Sequence, residues 1–248
     1  MQTVAAGALY ATPAPVTAHV AFIVLGGGVR KQDYLGNELL TPNIRRLASE
    51  GFVFEEDHSE RVASHRAAFA ELLQGREFTA SSAAFPTILD YAGDGVLLNA
   101  VRSIPQTMTR LRPRAIVCRQ MSHDVGHDSY EKYLSEVQAT DAAIGNLLDW
   151  VKGHPYFRRN TAIVIRPEFG RDDDVNAYGQ LHHSYGFYST HRVASIFWGP
   201  DFNRGVDREC VISALDMAPT LARLLKVDAR YAQGRVVPGL FKREAVST

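Results

Sequence analysis

Five near-continuous apolar runs constrain this chain more than any other feature: AHVAFIVL (18–25), VLLNAV (96–101), RAIVC (114–118), TAIVIR (161–166) and VASIFW (193–198). A strand covered on one face alternates apolar and polar residues, so runs without alternation predict strands buried on both faces of a sheet. Helices must then cover both faces, and the intervening segments supply them. TPNIRRLASEG predicts a short helix with Thr41 as N-cap, Pro42 at the first position and Gly51 as terminator. Tyr133, Val137, Ile144, Leu148 and Val151 recur at helical spacing, which predicts a longer helix from about Ser129 to Lys152, ended by Gly153 and Pro155. Further helices are expected at 65–74, ending at Gly75, and at 213–226. Strands alternating with helices imply an α/β fold with a mainly parallel sheet. The expected organisation is an N-terminal extension (1–17) and one domain (18–248), without internal repeats.

Charge and composition narrow the function. Lys plus Arg (27) equals Asp plus Glu (27), so no global field draws nucleic acid or an anionic membrane. No run approaches the roughly 20 apolar residues of a membrane span, and the chain is not expected to be integral to a membrane. The start, MQTVAAGALYATPAP, has no basic n-region and makes a poor secretory signal, which leaves the compartment open: cytoplasmic, or periplasmic or extracellular if the chain is already processed. Two cysteines, Cys118 and Cys210, make no disulfide framework. GGGVRK lacks the GxxxxGK[ST] pattern of a phosphate-cradling loop. Of 9 histidines, five fall in two clusters, SHDVGH (122–127) and LHHSYGFYSTH (181–191), and chemistry is expected there.

Seven segments in order carry a family likeness: IVLGGGVRKQDYLG (23–36), TPNIRRLASEGFVF (41–54), HRAAFAELLQGR (65–76), SHDVGHDSYEKYLSEVQATDAAIGNLL (122–148), VIRPEFGR (164–171), HRVASIFWGP (191–200) and DMAPTLARLL (216–225). Together they resemble the alkaline phosphatase and sulfatase superfamily. The resemblance implies a three-layer α/β sandwich with ligands gathered at the C-terminal edge of the strands. It also implies hydrolysis of phosphate or sulfate esters by two divalent metals and a hydroxyl nucleophile.

Carried over residue by residue, that machinery is incomplete. Gly27 stands where the first strand normally ends in a metal-binding Asp, and reads as a tight loop or a backbone cradle for an anion. His65 stands at the nucleophile position; Ser64 beside it would restore a hydroxyl after a one-residue shift of the turn, or else caps the helix, and the alternative roles for His65 are metal ligand or oxyanion binder. Arg66 and Arg76 are candidate anion clamps. Glu168 replaces the Asp, and Phe169 the His, of a further metal-binding pair. His123 and His127 have the four-residue spacing of the other site's Asp and His, which on a helix puts both imidazoles on one face. His183 or His182 is the expected third ligand there, with His191 an outsider and Asp124 or Asp128 an additional ligand or support. The resemblance therefore implies one Zn2+ at His123, His127 and His183 or His182, and a lost second site around Gly27, His65 and Glu168. The short spacing from Arg76 to Ser122 implies a small or open pocket. The aromatics Tyr178, Tyr185, Phe187 and Tyr188 are either a partner surface or packing. The expected function is that of a degenerate member, lacking hydrolase activity and reused for binding or assembly with a protein partner of unknown identity. The alternative is a hydrolase working with a single zinc.

Overall fold

The computed structural model describes residues 10–11, 14–242 and 244–245. Tyr10–Ala11 and Glu244–Ala245 pair as a small antiparallel sheet, and the strands of the main sheet are β1 (His19–Leu25), β2 (Phe52–His58), β3 (Val96–Leu98), β4 (Ala115–Gln120), β5 (Thr161–Pro167), β6 (Arg192–Trp198), β7 (Gly205–Asp207) and β8 (Ile212–Ser213). They form one sheet in the order β3-β4-β1-β5-β6-β2-β7, with β8 also pairing β2. Every strand points the same way except β6, which is antiparallel to both β5 and β2.

Besides the single turns Lys31–Tyr34 and Tyr188–His191, the helices are α1 (Pro42–Glu50), α2 (His65–Gln74), α3 (Ile88–Ala92), α4 (Ile104–Leu111), α5 (Tyr130–Gly153) and α6 (Met217–Leu225). Successive side chains of a strand point to opposite faces, and β1 shows what that does here. Ala21, Ile23 and Leu25 pack with Ile44 and Leu47 of α1, Met108 of α4 and Ile144 and Leu148 of α5. Val20, Phe22 and Val24 pack with Leu72 of α2, Ile88 of α3 and Leu221 of α6. The sheet is thus the middle layer of an α/β sandwich. All seven residues of β1 are buried, as an apolar run without alternation requires.

Several local expectations change. The run at 96–101 is a strand only to Leu98, after which Val101–Ser103 turns as a 3-10 helix into α4. Thr41 does not cap α1; its hydroxyl donates to the carbonyls of Tyr34 and Asn37. The cap comes from α5, where Asp141 accepts from the amides of Asn43 (3.3 Å) and Ile44 (2.7 Å). The helix expected at 213–226 opens as a 3-10 turn (Ala214–Asp216) under a Ser213/Asp216 capping box, and α6 proper follows. The chain from Arg76 to Ser122 holds two helices, α3 and α4, as well as β3 and β4.

Strand β2, FVFEEDH, is too polar to resemble the other central strands. Its Asp57 is fully buried against the equally buried Arg166 of β5, in a two-pronged pair with both N···O distances 2.8 Å. Arg166 also donates to the carbonyl of Glu168 and to the Ser59 hydroxyl, and Ser59 donates to the same Glu168 carbonyl. One buried ion pair therefore fixes the backbone where β5 leaves the sheet. Removing one partner of such a pair strands the other charge. Asp57→Ala is expected to cost about 3–5 kcal/mol in urea or guanidinium unfolding, and a loss below 1 kcal/mol would contradict this.

Candidate active site

The parallel strands deliver one loop each to a common edge: Gly26–Gly28 after β1, Ser59–Ser64 after β2, a 3-10 helix (Ser122–His127) after β4 and Glu168–Arg171 after β5. Because β6 runs the other way, the chain ahead of it, with His182, His183 and His191, reaches the same edge. Open α/β sheets bind ligands at that edge.

His65, Asp124 and His183 each offer a ligand atom there, and these atoms all lie within 4.8 Å of one another. His65 Nε2 is 3.3 Å from Asp124 Oδ1, and His127 Nε2 is 3.4 Å from the same oxygen. Two ligands about 2.1 Å from a tetrahedral zinc stand roughly 3.4 Å apart, so these separations suit a shared ion. The outer ring nitrogens are held from behind. His183 Nδ1 donates to the Val62 carbonyl at 3.0 Å, which leaves its Nε2 as the lone-pair nitrogen. That Nε2 and Asp124 Oδ1 are both buried without a hydrogen-bond partner. His65 Nδ1 pairs with Glu168, and His127 Nδ1 is 2.7 Å from His182 Nδ1. Imidazoles anchored through one nitrogen, with the other aimed at a common point, have the arrangement of metal-ligating histidines. The described residues thus contain a His/Asp cluster able to hold one ion.

Electrostatics set the protonation of this cluster. Burial pushes His183 down to about 4, with the nearby Arg171 and the other histidines acting the same way. Burial and Arg171 also lower His127. His65 is raised instead, chiefly by its bond to Glu168. His183 is therefore neutral at pH 7 and ready to donate to a cation, whereas the bond to Glu168 favours the protonated form of His65, which competes with a cation.

The sequence-selected residues divide clearly. His65, His127, His182 and His183 come together. His123 does not: it is buried, with Nδ1 donating to the Gly26 carbonyl (3.0 Å) and Nε2 meeting the Thr140 hydroxyl (3.1 Å), so neither nitrogen is free to ligate. The reason is that 122–127 is a 3-10 helix, in which residues three apart share a face. Asp124 and His127 are therefore the matched pair, and Asp124 takes the position expected for His123. Asp128 is exposed. Glu168 is fully buried and turned to His65, the Gly27 amide (2.9 Å) and Arg119 (3.5 Å), so it supports His65 and is not in the His/Asp cluster. Ser64 is the N-cap of α2, accepting from the Ala67 amide at 3.3 Å. Arg66 is exposed. Arg76 lies over the Phe85 ring and donates to the Tyr231 carbonyl, away from the cluster. His191 spends its ring on the carbonyls of Ser59 and Tyr185.

Gly27 is not an anion cradle. Its amide is taken by Glu168 and its carbonyl by Arg171. It has φ +85, and a Cβ there would stand 2.3 Å from the Asp124 amide nitrogen. Arg171, which the sequence did not single out, is fully buried behind the cluster and donates to the carbonyls of Gly27, Gly28, His123 and Leu181. Phe169 is buried with Val62 and Ala68, its ring 4.6 Å from that of His183. A cavity of about 700 Å³ lies beside the cluster, walled by Arg30, Leu35, Val53 and Phe187 among others, and none of the four clustered histidines lines it.

No protein-family model matches this chain, and no curated protein matches it significantly in sequence. Solved structures do match in fold. A protein of the alkaline phosphatase superfamily from Vibrio parahaemolyticus aligns over 91% of this chain and 72% of its own, with TM-score 0.65 and 14% identity. A 2-O GAG sulfatase aligns over 94% and 76%, with TM-score 0.71 and 12% identity. The lipoteichoic acid synthase LtaP from Listeria monocytogenes aligns over 92% and 77%, with TM-score 0.67 and 10% identity. The fold is that of the alkaline phosphatase superfamily, as the order of motifs implies. Among the described residues no helix is long and apolar enough to cross a membrane.

The burial of His123 has a measurable consequence. Its ring is pushed down to about 4 by burial, so between pH 4 and its ordinary 6.5 the unfolded chain takes up a proton that the folded one refuses. Stability should fall as pH drops through that window, with His123 contributing on the order of 3 kcal/mol by pH 4. Urea melts across the window should show a shallower acid loss in His123→Gln than in wild type. Equal slopes would show that this ring is not held neutral.

Proposed function

We propose that this chain is a degenerate alkaline phosphatase/sulfatase-like protein that does not hydrolyse phosphate or sulfate esters, retains a site for one zinc-type ion, and serves in binding or assembly. The observation that carries the reading is Gly27. The family-type reaction needs a second ion beside the first, and an Asp at position 27 to hold it would require both a left-handed backbone and room that the Asp124 amide occupies. Two further positions support the same reading: Phe169 offers no ligand atom and is packed into the interior, and the Ser64 hydroxyl is engaged in capping α2. Glu168 is left to neutralise His65 and Arg119.

His65, Asp124 and His183 would hold the remaining ion, with His127 next to the shared Asp124 oxygen. Imidazole nitrogens with one carboxylate suit zinc better than magnesium or calcium, which favour sets of hard oxygens. A zinc bound there would supply Lewis-acid chemistry. Glu168 and the Val62 carbonyl orient the ligand rings, and burial, reinforced by Arg171, keeps His183 unprotonated. The exposed aromatics Tyr178, Tyr185, Phe187 and Tyr188, all on the segment that brings in the histidines, offer the surface for a partner.

A second reading, a hydrolase running on one zinc, is favoured by the three-ligand set, since catalytic zinc sites commonly keep one position open. Assays of p-nitrophenyl phosphate, its diester and p-nitrophenyl sulfate with added zinc separate the two. The degenerate reading expects no turnover above background in wild type, Ser64→Ala or His183→Ala, a deficit of about a thousandfold or more against a working enzyme of this type. Hydrolysis lost only in His183→Ala would establish the one-zinc hydrolase, and hydrolysis lost in Ser64→Ala would restore a serine nucleophile.

A further inference from the structure

The edge of the sheet opposite the histidines carries a second, differently charged concavity. It lies where α1 ends before β2, where Arg158 and Arg159 precede β5, and where β6 ends at Trp198. Its volume is about 520 Å³, within the range of small-ligand sites. The wall holds five cationic side chains, Lys152, Arg158, Arg159, Arg204 and Lys242, against one carboxylate, Glu50.

That carboxylate is already committed. Both oxygens of Glu50 bind Lys152, at 2.8 and 2.9 Å, and one also accepts from the Trp198 indole at 3.3 Å. Arg158, Arg159 and Arg204 are exposed and take part in none of the ion pairs found among the described residues, and the Lys242 ammonium donates only to the Pro200 carbonyl, at 2.5 Å. The larger cavity at the other edge is a useful contrast, because its cations are matched: Lys31 and Arg208 hold Glu55, Arg192 holds Glu56 and Arg45 holds Glu38. In a chain whose charges sum to zero, four cations without an ion-pair partner around one hollow make a local positive field that an anion would relieve. Arginine forks match the planar oxygen pairs of phosphate-type groups.

We propose that this hollow binds a compact, multiply charged phosphate, with Arg158, Arg159 and Arg204 gripping its oxygens and Lys242 adding charge at the rim. The site is independent of the histidine cluster and of whether that cluster hydrolyses anything.

Calorimetric titration of the full chain with sodium tripolyphosphate tests it. One saturable site is expected, with affinity falling about tenfold or more as NaCl rises from about 50 to about 200 mM. The triple substitution R158A/R159A/R204A should weaken binding at least tenfold. Glu50→Gln should tighten it severalfold, a change of sign that general loss of structure would not produce. Lys31→Ala, in the other cavity, should leave it unchanged. Absence of saturable binding, or a triple variant that binds like wild type, would overturn the proposal.

Discussion

The buried guanidinium of Arg171 is the constraint on which the edge of this molecule depends. Burying a charge is costly unless its donors are met, and here they are met by carbonyls from three separate loops: Gly27 and Gly28 after β1, His123 after β4 and Leu181 ahead of β6. The group has no carboxylate closer than Asp124 Oδ1 at 3.5 Å. Its positive charge therefore acts on the histidines as well as on the loops. It adds to burial in keeping His183 and His127 neutral, while Glu168 draws a proton onto His65. A second dication close to this fixed charge would be repelled, whereas one ion can be balanced by Asp124.

Gly27, Asp124, Glu168 and Phe169 are linked physically. Without a side chain at Gly27 the Asp124 amide can pack against it, and this approach places Asp124 next to His65 and His127. Glu168, with its backbone fixed by Arg166 and Ser59, turns its carboxylate to the Gly27 amide and to His65. Phe169 then fills the space beside His65 and His183 with an aromatic ring. On the proposed degenerate reading, a change at one of these positions alone would not provide a second ion site, because its neighbours occupy the space around it.

The sheet was largely legible in the sequence because four strands are buried and read as apolar runs; the fifth run, VLLNAV, proved to be a short edge strand whose Leu97 is exposed. Strand β2 was not legible, since its Glu55, Glu56 and Asp57 look like solvent-facing residues until the partner Arg166 is found across the sheet. The gathering of the histidines was legible from motif order. The ligand pairing was not, because a four-residue spacing selects His123 only if the segment is α-helical, and the tighter 3-10 geometry selects Asp124 instead. Arg171 was hidden for a different reason: an arginine is ordinarily exposed, and nothing local to VIRPEFGR announces that three distant loops will supply its acceptors.

The central claim is one ion site with the second walled off. Anomalous diffraction from crystals of the tag-free protein grown with zinc tests it most directly. One strong peak is expected between His65 Nε2, Asp124 Oδ1 and His183 Nε2, absent in His183→Ala. Two peaks about 4 Å apart, or a peak against Glu168 and Gly27, would contradict it.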